Sequence, residues 1–186
     1  KSMLAGIYYC FYDDSPAYIT PYTYENMCDN SYNHHTWEFS AEFASGTQTA
    51  ASWWAELKWT KDWQAISRAN SLIRSMALAT GIGPADSRKI LAEARFLRAY
   101  YHFLLAQAWG DVPLRVKATT SPNPNDVQMA ATPQEQVLKW CADEIEATIP
   151  DLYEPIDNTP SRVSQTVAQG SQLAQGTTSD LDVVGR

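Results

Sequence analysis

The sequence lacks a long apolar run, an excess of positive charge and any recognisable catalytic motif. No stretch of about 18 apolar residues occurs, so we expect no membrane-spanning helix. The 14 basic residues are outnumbered by 21 acidic ones, giving a net charge of −7, whereas proteins that coat nucleic acid normally carry the opposite sign. The G-x-S-x-G, H-E-x-x-H and phosphate-loop patterns are missing, so the sequence does not favour an enzyme.

Cysteine is also scarce, with Cys10, Cys28 and Cys141 as its three positions. Their odd number and spacing match no metal or redox pattern, so we expect buried or partly buried free thiols, with a Cys10–Cys28 disulfide as the alternative. His34 and His35 are adjacent, so their rings point apart in an extended backbone and do not converge on a metal. We therefore expect no metal and no cofactor.

What the sequence does contain is enough apolar and aromatic material for one domain. Apolar residues make up 45% of the 186 residues, and the aromatic 12% includes seven Trp and ten Tyr. Such an aromatic content favours a protein whose rings contact a ligand. The chain starts at Lys1 with no initiator Met and no apolar leader, so we expect a processed or trimmed piece.

Hydrophobic spacing predicts four helices and little strand. They cover residues 3–12, 53–79, 86–109 and 133–149, and they suggest two adjacent helical hairpins. Such hairpins are typical of helix–turn–helix repeats, although the pattern alone does not distinguish them from an irregular helical bundle.

The two long helices each carry an apolar stripe. The first stripe, at spacings of three and four, consists of Trp59, Trp63, Ile66, Asn70 and Ile73. The second helix has a wider apolar surface, which predicts burial on two of its sides. It also carries Arg95 and Arg98 on one face, and we expect that face to be solvated or ion-paired.

Local signals predict where the helices begin and end. Asp86 is the expected N-cap of the second long helix, and Gly110 is expected at its C-terminal cap. In residues 132–135 the threonine is the expected N-cap of the last helix, the proline its first residue and the glutamate the partner of a capping box. Pro150 is expected to end that helix.

Two segments resemble a known family. Residues 93–114 read EARFLRAYYHFLLAQAWGDVPL and residues 59–73 read WTKDWQAISRANSLI. They are similar to the EA-x-FLRA helix with its GDVPL exit, and to the preceding W-to-AN helix, of the SusD/RagB family of surface nutrient-binding lipoproteins from Bacteroidetes. Residues 132–152 resemble the family's next helix, and residues 24–30 its L-x-S-D-N turn.

The resemblance implies an all-α fold of tetratricopeptide-like helical repeats with long loops, equivalent to the N-terminal part of a SusD-like protein. It assigns residues 1–160 to this helical region and leaves 161–186 as a polar tail, the start of a further repeat or a divergent end. Family members lie on the outer leaflet of the outer membrane through a lipid anchor, and the anchoring cysteine is not visible in this chain. They partner a SusC-like TonB-dependent barrel and are not catalysts.

The segment from 29 to 39, DNSYNHHTWEF, is the candidate ligand-binding site. Indole and phenol rings stack on the C–H faces of sugars, and amide, carboxylate and imidazole groups bond their hydroxyls. The candidate residues are Trp37, Tyr32, Asn33, His34 and Asp29. The alternative for Trp37 is a core position beneath a loop.

Three functions are compatible with these features. The first is capture of glycans and their delivery to a TonB-dependent transporter. The second is the same role for oligopeptides, as in RagB-like proteins. The third is a tetratricopeptide-like scaffold that binds a partner protein through its helices.

Overall fold

Five α-helices make up most of the part of the chain that the structure describes. The structure is a computed structural model, and it describes residues 2–12, 25–26, 28–31, 40–49, 51–119 and 128–152. In chain order the helices are α1 (Ser2–Tyr12), α2 (Ser40–Ser45), α3 (Trp53–Met76), α4 (Pro84–Trp109) and α5 (Gln134–Leu152). The predicted long helices are therefore confirmed, with α3 ending three residues earlier than expected.

Extended pairing is limited, within these described residues, to one antiparallel bridge between Val112 and Thr132. The two residues exchange backbone hydrogen bonds of 3.2 and 3.0 Å. The bridge ties the chain just after α4 to the chain just before α5. The prediction of an all-α fold is confirmed, and none of these helices is both long and apolar enough to cross a bilayer.

Helix α4 is the central element because it packs against α3 on one side and α5 on another. Helix α1 packs across α3 and also contacts α4. The two-sided burial predicted for α4 is confirmed: the residues that it buries are Ala92, Ala94, Leu97, Arg98, Ala99, Tyr101, His102, Leu105 and Ala106. Small residues within this set allow the neighbouring helices to approach closely.

Helix α4 begins at a glycine and a proline rather than at the predicted aspartate, and it ends at the predicted glycine. Pro84 occupies the first helical turn and Gly83 is the N-cap, because proline's fixed φ already suits a helix start. Asp86 lies inside the first turn, where its carboxylate faces the positive end of the helix dipole. Gly110 has a φ of 75° and donates its N–H to the Ala106 carbonyl at 2.9 Å, which confirms its role as the C-cap.

The start of α5 is capped from a distant part of the chain. The Gln134 N–H donates to Oδ1 of Asp111 at 2.9 Å, and the helix begins one residue later than predicted. Because the helix begins at Gln134, its N-cap position falls on Pro133, which has no side-chain acceptor, and Asp111 takes the capping role expected of Thr132. This contact fixes the direction in which α5 leaves the bridge.

Helix α5 also continues beyond Pro150, to Leu152, so the prediction that this proline ends it is wrong. A proline so near a helix end removes only one backbone hydrogen bond, and the remaining turn still forms. Residues 153–186 lie outside the described part, so the boundary expected after residue 160 stays a prediction.

None of the three cysteines forms a disulfide, so the alternative Cys10–Cys28 disulfide is absent. Cys10 and Cys141 are buried, whereas Cys28 is exposed. Burial raises the pKa of the Cys141 thiol to about 11, so it stays protonated and acts as a small core residue. The Arg68 guanidinium donates to the Gly6 carbonyl at 2.6 Å and to Cys10 Sγ at 3.2 Å, which holds α1 against α3.

Candidate ligand-binding site

The sequence-predicted site is described only at its first residue. Asp29 is exposed in a turn, while Trp37, Tyr32, Asn33 and His34 lie outside the described residues. Their assignment as ligand-binding residues therefore stays a prediction.

The turn that carries Asp29 is closed by its own polar groups. The Cys28 N–H donates to the Glu25 carbonyl at 3.1 Å, and the Asn30 amide donates to the Glu25 carboxylate at 3.1 Å. Ser31 donates to Asn26 Oδ1 at 2.7 Å. These short-range bonds use the side chains around Asp29 and leave its carboxylate on the exposed surface of the turn.

Tryptophans cluster where the start of α3 meets the end of α4. The Trp59 ring lies edge-to-face with Trp109, 5.3 Å between centroids, and with Trp63, 5.6 Å between centroids. Such pairs stabilise each other beyond their buried area. Trp59, a member of the predicted apolar stripe, contacts both rings although 37% of its surface is exposed.

Beneath these rings, a core polar network joins three helices. Its members are Asn70 on α3, Arg98 and His102 on α4, and Glu144 on α5. Nη1 of Arg98 donates to Asn70 Oδ1 at 3.0 Å and to the Val116 carbonyl at 2.8 Å, and Nη2 donates to Glu144 Oε1 at 2.6 Å. Of the two predicted alternatives for Arg98, solvated or ion-paired, the structure shows an ion pair with Glu144. Arg98 is almost fully buried in this pair, with 7% of its surface exposed.

Glu144 binds two arginines at once. Arg95 donates to both carboxylate oxygens at 2.9 Å in a fork, while Arg98 shares the first oxygen. The hydrogen bond from Arg95, reinforced by Arg98, lowers the pKa of Glu144, so the carboxylate stays ionised at neutral pH. The same hydrogen bond raises the pKa of Arg95. One acidic residue on α5 thus pairs with two cations on α4.

His102 connects the network to the segment that follows α4. Its Nε2 accepts the Arg115 backbone N–H at 3.1 Å, so the other nitrogen carries the proton and donates to the Arg98 carbonyl at 2.8 Å. Burial lowers the pKa of His102 to about 4, and the neutral tautomer that these bonds require is the form present at pH 7. Asn70 completes the attachment by donating to the Arg115 carbonyl at 3.0 Å.

A groove of about 430 Å³ opens along the segment that the network holds. It is lined by Leu114, Arg115, Val116, Lys117, Ala118, Thr119 and Met129. The Arg115 guanidinium lies 6.0 Å from the Trp63 ring centroid and donates to Thr119 Oγ1 at 2.9 Å. We call the groove lined by these seven residues the exit groove. Its volume lies within the range of small-molecule sites.

A second groove, of about 440 Å³, lies between α1 and the turn that joins α3 to α4. Asp86, Lys89 and Glu93 line it together with Leu4 and apolar residues of the turn. Its described lining residues carry charges of both signs, whereas those of the exit groove carry only positive charges. Within the described ranges, no group of three or more His, Cys, Asp or Glu residues is arranged to hold a metal ion.

Buried charge also occurs at the first turns of α3. Lys58 Nζ and Asp62 Oδ2 are 2.8 Å apart, and their side chains are 9% and 6% exposed. Burial raises the pKa of Asp62 to about 6, although the neighbouring Lys58 acts to lower it. Asp62 therefore gains a proton in the mildly acidic range.

Comparison with protein families decides the identity at family level. A family model described as "SusD-like_3: Starch-binding associating with outer membrane" matches residues 1–174. The chain belongs to this SusD-like family. No curated protein matches the chain significantly.

Solved SusD-like structures share the tetratricopeptide-like helical fold of this chain. A SusD superfamily protein from Bacteroides vulgatus has a TM-score of 0.67 and 19% identity, over 85% of this chain and 34% of that one. Surface glycan-binding protein A from Bacteroides fluxus has a TM-score of 0.63 and 21% identity, over 83% and 32%. A structure with a xylogluco-oligosaccharide has a TM-score of 0.57 and 23% identity, over 66% and 24%. The SusD-like chain thus spans at most about a third of these structures.

The sequence pattern of this SusD-like chain contained a signal for the core polar network. Asn70 interrupts an otherwise apolar stripe on α3, and a polar residue in such a place needs a buried partner. Arg98 is three residues from Arg95, which allows both to reach one carboxylate. Glu144, on another helix, could not be singled out because its register against α4 is set by tertiary packing.

We predict that Glu144→Gln destabilises the chain by about 3 kcal/mol or more, because it removes the charge that pairs the buried Arg98. Asp143→Asn is the matched control, since Asp143 pairs with the exposed Lys139 on the same helix. Urea unfolding at pH 7 measures both. Equal stability of Glu144→Gln and the control would contradict the role given to the network.

We predict opposite pH dependences for two buried groups. Between about pH 4 and 6.5, His102 stays neutral in the folded chain but takes up a proton on unfolding, so the free energy of unfolding rises with pH. Between pH 3.8 and about 6, Asp62 holds its proton in the folded chain and releases it on unfolding, so that free energy falls with pH. Each effect amounts to roughly 3 kcal/mol across its range.

These effects nearly cancel in the unaltered chain and separate in variants. In Asp62→Asn only the His102 effect remains, so the free energy of unfolding is expected to rise with pH. In His102→Gln only the Asp62 effect remains, so that free energy is expected to fall with pH. Urea unfolding at pH values from 4 to 7 gives both slopes. If the free energy of unfolding changes with pH in the same way in both variants as in the unaltered chain, the pH dependences assigned to His102 and Asp62 are wrong.

Proposed function

We propose that this chain is part of a surface nutrient-binding protein that captures glycans at the outer membrane and passes them to a SusC-like TonB-dependent transporter. The match of residues 1–174 to a family described as starch-binding and associated with the outer membrane carries the proposal. In this role the protein lies on the outer leaflet, held by a lipid anchor, and performs no covalent chemistry.

The solved neighbours support a carbohydrate ligand over a peptide. One is named a surface glycan-binding protein, and another contains a xylogluco-oligosaccharide. The tetratricopeptide-like helices supply a rigid platform, and the loops that lead from it carry the variable contacts with cargo. Oligopeptide capture, as in RagB-like proteins, is the other outcome that a binding experiment has to distinguish.

Capture in this proposal depends on stacking and hydrogen bonds. Trp37 and Tyr32 serve as platforms for sugar rings, and Asn33, His34 and Asp29 bond the hydroxyls. Aromatic stacking fixes the ring plane, and the polar groups select the orientation of the hydroxyls. Because these contacts are reversible, the cargo can leave for the transporter.

We predict that Trp37→Ala lowers the affinity of the full chain for oligosaccharides about tenfold, which corresponds to ~1.4 kcal/mol of lost stacking. Trp53→Ala is the matched control, because Trp53 is a 51% exposed tryptophan outside the predicted segment. Titration calorimetry against starch and xyloglucan oligosaccharides, and against mixed oligopeptides of similar mass, measures the affinities.

Binding of oligosaccharides that Trp37→Ala weakens and Trp53→Ala does not would support both the cargo and the site. Equal affinity of Trp37→Ala and the unaltered chain would remove Trp37 from the site. Binding of peptides with no binding of any glycan would overturn the glycan proposal in favour of a RagB-like role.

A further inference from the structure

The exit groove has a wall that is fixed before any ligand arrives. Three buried side chains on α3 and α4 bind the backbone of its residues: Asn70 holds the Arg115 carbonyl, His102 the Arg115 N–H, and Arg98 the Val116 carbonyl. All three side chains come from nearly inaccessible residues. A wall held in this way loses little entropy when it binds a ligand.

The charge of the exit groove is opposite to that of the chain as a whole. The chain carries a net charge of −7, yet among the described residues that line this groove the charged ones are Arg115 and Lys117. The other groove of similar size is lined by Asp86 and Glu93 as well as Lys89. Two cations that line one concave surface of an acidic protein favour an anionic ligand.

The shape and polarity of the exit groove suit a sugar that carries the anion. Leu114, Ala118 and Met129 offer apolar surface to the C–H face of a ring, and Thr119 offers a hydroxyl. The Arg115 guanidinium is already oriented by its bond to Thr119 and by the Trp63 ring. A planar guanidinium recognises carboxylate and sulfate oxygens through paired hydrogen bonds.

We propose that the exit groove binds the anionic group of an acidic oligosaccharide, with Arg115 and Lys117 as its cationic partners. The inference rests on the proposed glycan-binding function and specifies the class of glycan at one subsite. The anion is the carboxylate of a uronic acid or a sulfate ester, and the experiment separates these two sources.

The test is titration calorimetry of the full chain with three ligands of matched length: an oligouronate, a sulfated oligosaccharide and a neutral oligosaccharide. The measurements are made at low and high ionic strength. Lys117→Gln and Arg115→Gln remove the cations, and Arg74→Gln removes an exposed cation of α3 that does not line the groove. Thermal unfolding of each variant verifies that it is folded.

We expect at least one acidic ligand to bind more tightly than the neutral one, with an advantage that shrinks at high salt. Lys117→Gln and Arg115→Gln should each lower that affinity about tenfold, whereas Arg74→Gln should not. Preference for the oligouronate identifies the carboxylate, and preference for the sulfated ligand identifies the sulfate ester.

Two results would overturn the inference, and only the second would also overturn the proposed glycan-binding function. If all three ligands bind alike and the groove variants have no effect, the exit groove is not an anion subsite, while the glycan-binding function stands. If no oligosaccharide of any kind binds, the proposed function fails together with the inference.

Discussion

A buried guanidinium is tolerated only where its charge is paired and its donors find acceptors. The two terminal nitrogens of Arg98 meet this requirement with one partner from each neighbouring part of the chain: Asn70 of α3, Glu144 of α5 and the Val116 carbonyl of the segment after α4, whereas its buried Nε has no hydrogen-bond partner. Its remaining face lies 5.5 Å from the Trp140 ring centroid, within the range of a cation–π contact. Because one side chain needs all of these partners, the packing of three helices depends on the path of residues 111–119, which we call the exit segment, and that path depends on the packing.

This dependence links the fold to the features that suit ligand capture. Apolar packing alone would let α5 slide or rotate along α4, since the contacts between Val137, Cys141 and α4 have no direction. The directional bonds of Glu144 and Arg98 fix the register, and the Asp111 cap fixes where α5 begins. The result is a rigid platform in which the exit groove keeps its shape while the adjoining loops remain open to variation.

Sequence reasoning predicted the elements that follow from local chemistry and missed those that follow from tertiary contacts. The apolar surface of α4 and the glycine at 110 were sufficient to predict a long helix, buried on two sides, and its end. Local sequence favours Thr132 as the cap of α5 because it cannot reveal that Asp111, more than twenty residues earlier, accepts the Gln134 N–H. The prediction that Pro150 ends α5 is wrong because a proline so close to a helix end disturbs a single backbone hydrogen bond.

The candidate site shows the same division. The aromatic and polar residues between 29 and 39 are predicted as ligand-binding residues from their chemistry. No local sequence pattern predicts the exit groove, because the core polar network, a tertiary feature, positions the segment that carries its cations. Arg95 and Arg98 were recognised as a pair on one face, but the carboxylate that joins them comes from another helix.

Amide hydrogen exchange of the full chain, followed by NMR, tests the dependence on Arg98 most directly. The Arg115 amide, bonded to His102, is expected to exchange slowly in the unaltered chain. Arg98→Lys keeps the charge but loses the fork that reaches three partners, so Arg115 should lose protection selectively while buried amides such as that of Ala69 stay protected. An Arg115 amide that is as well protected in Arg98→Lys as in the unaltered chain would contradict the claim that Arg98 holds the exit segment in place.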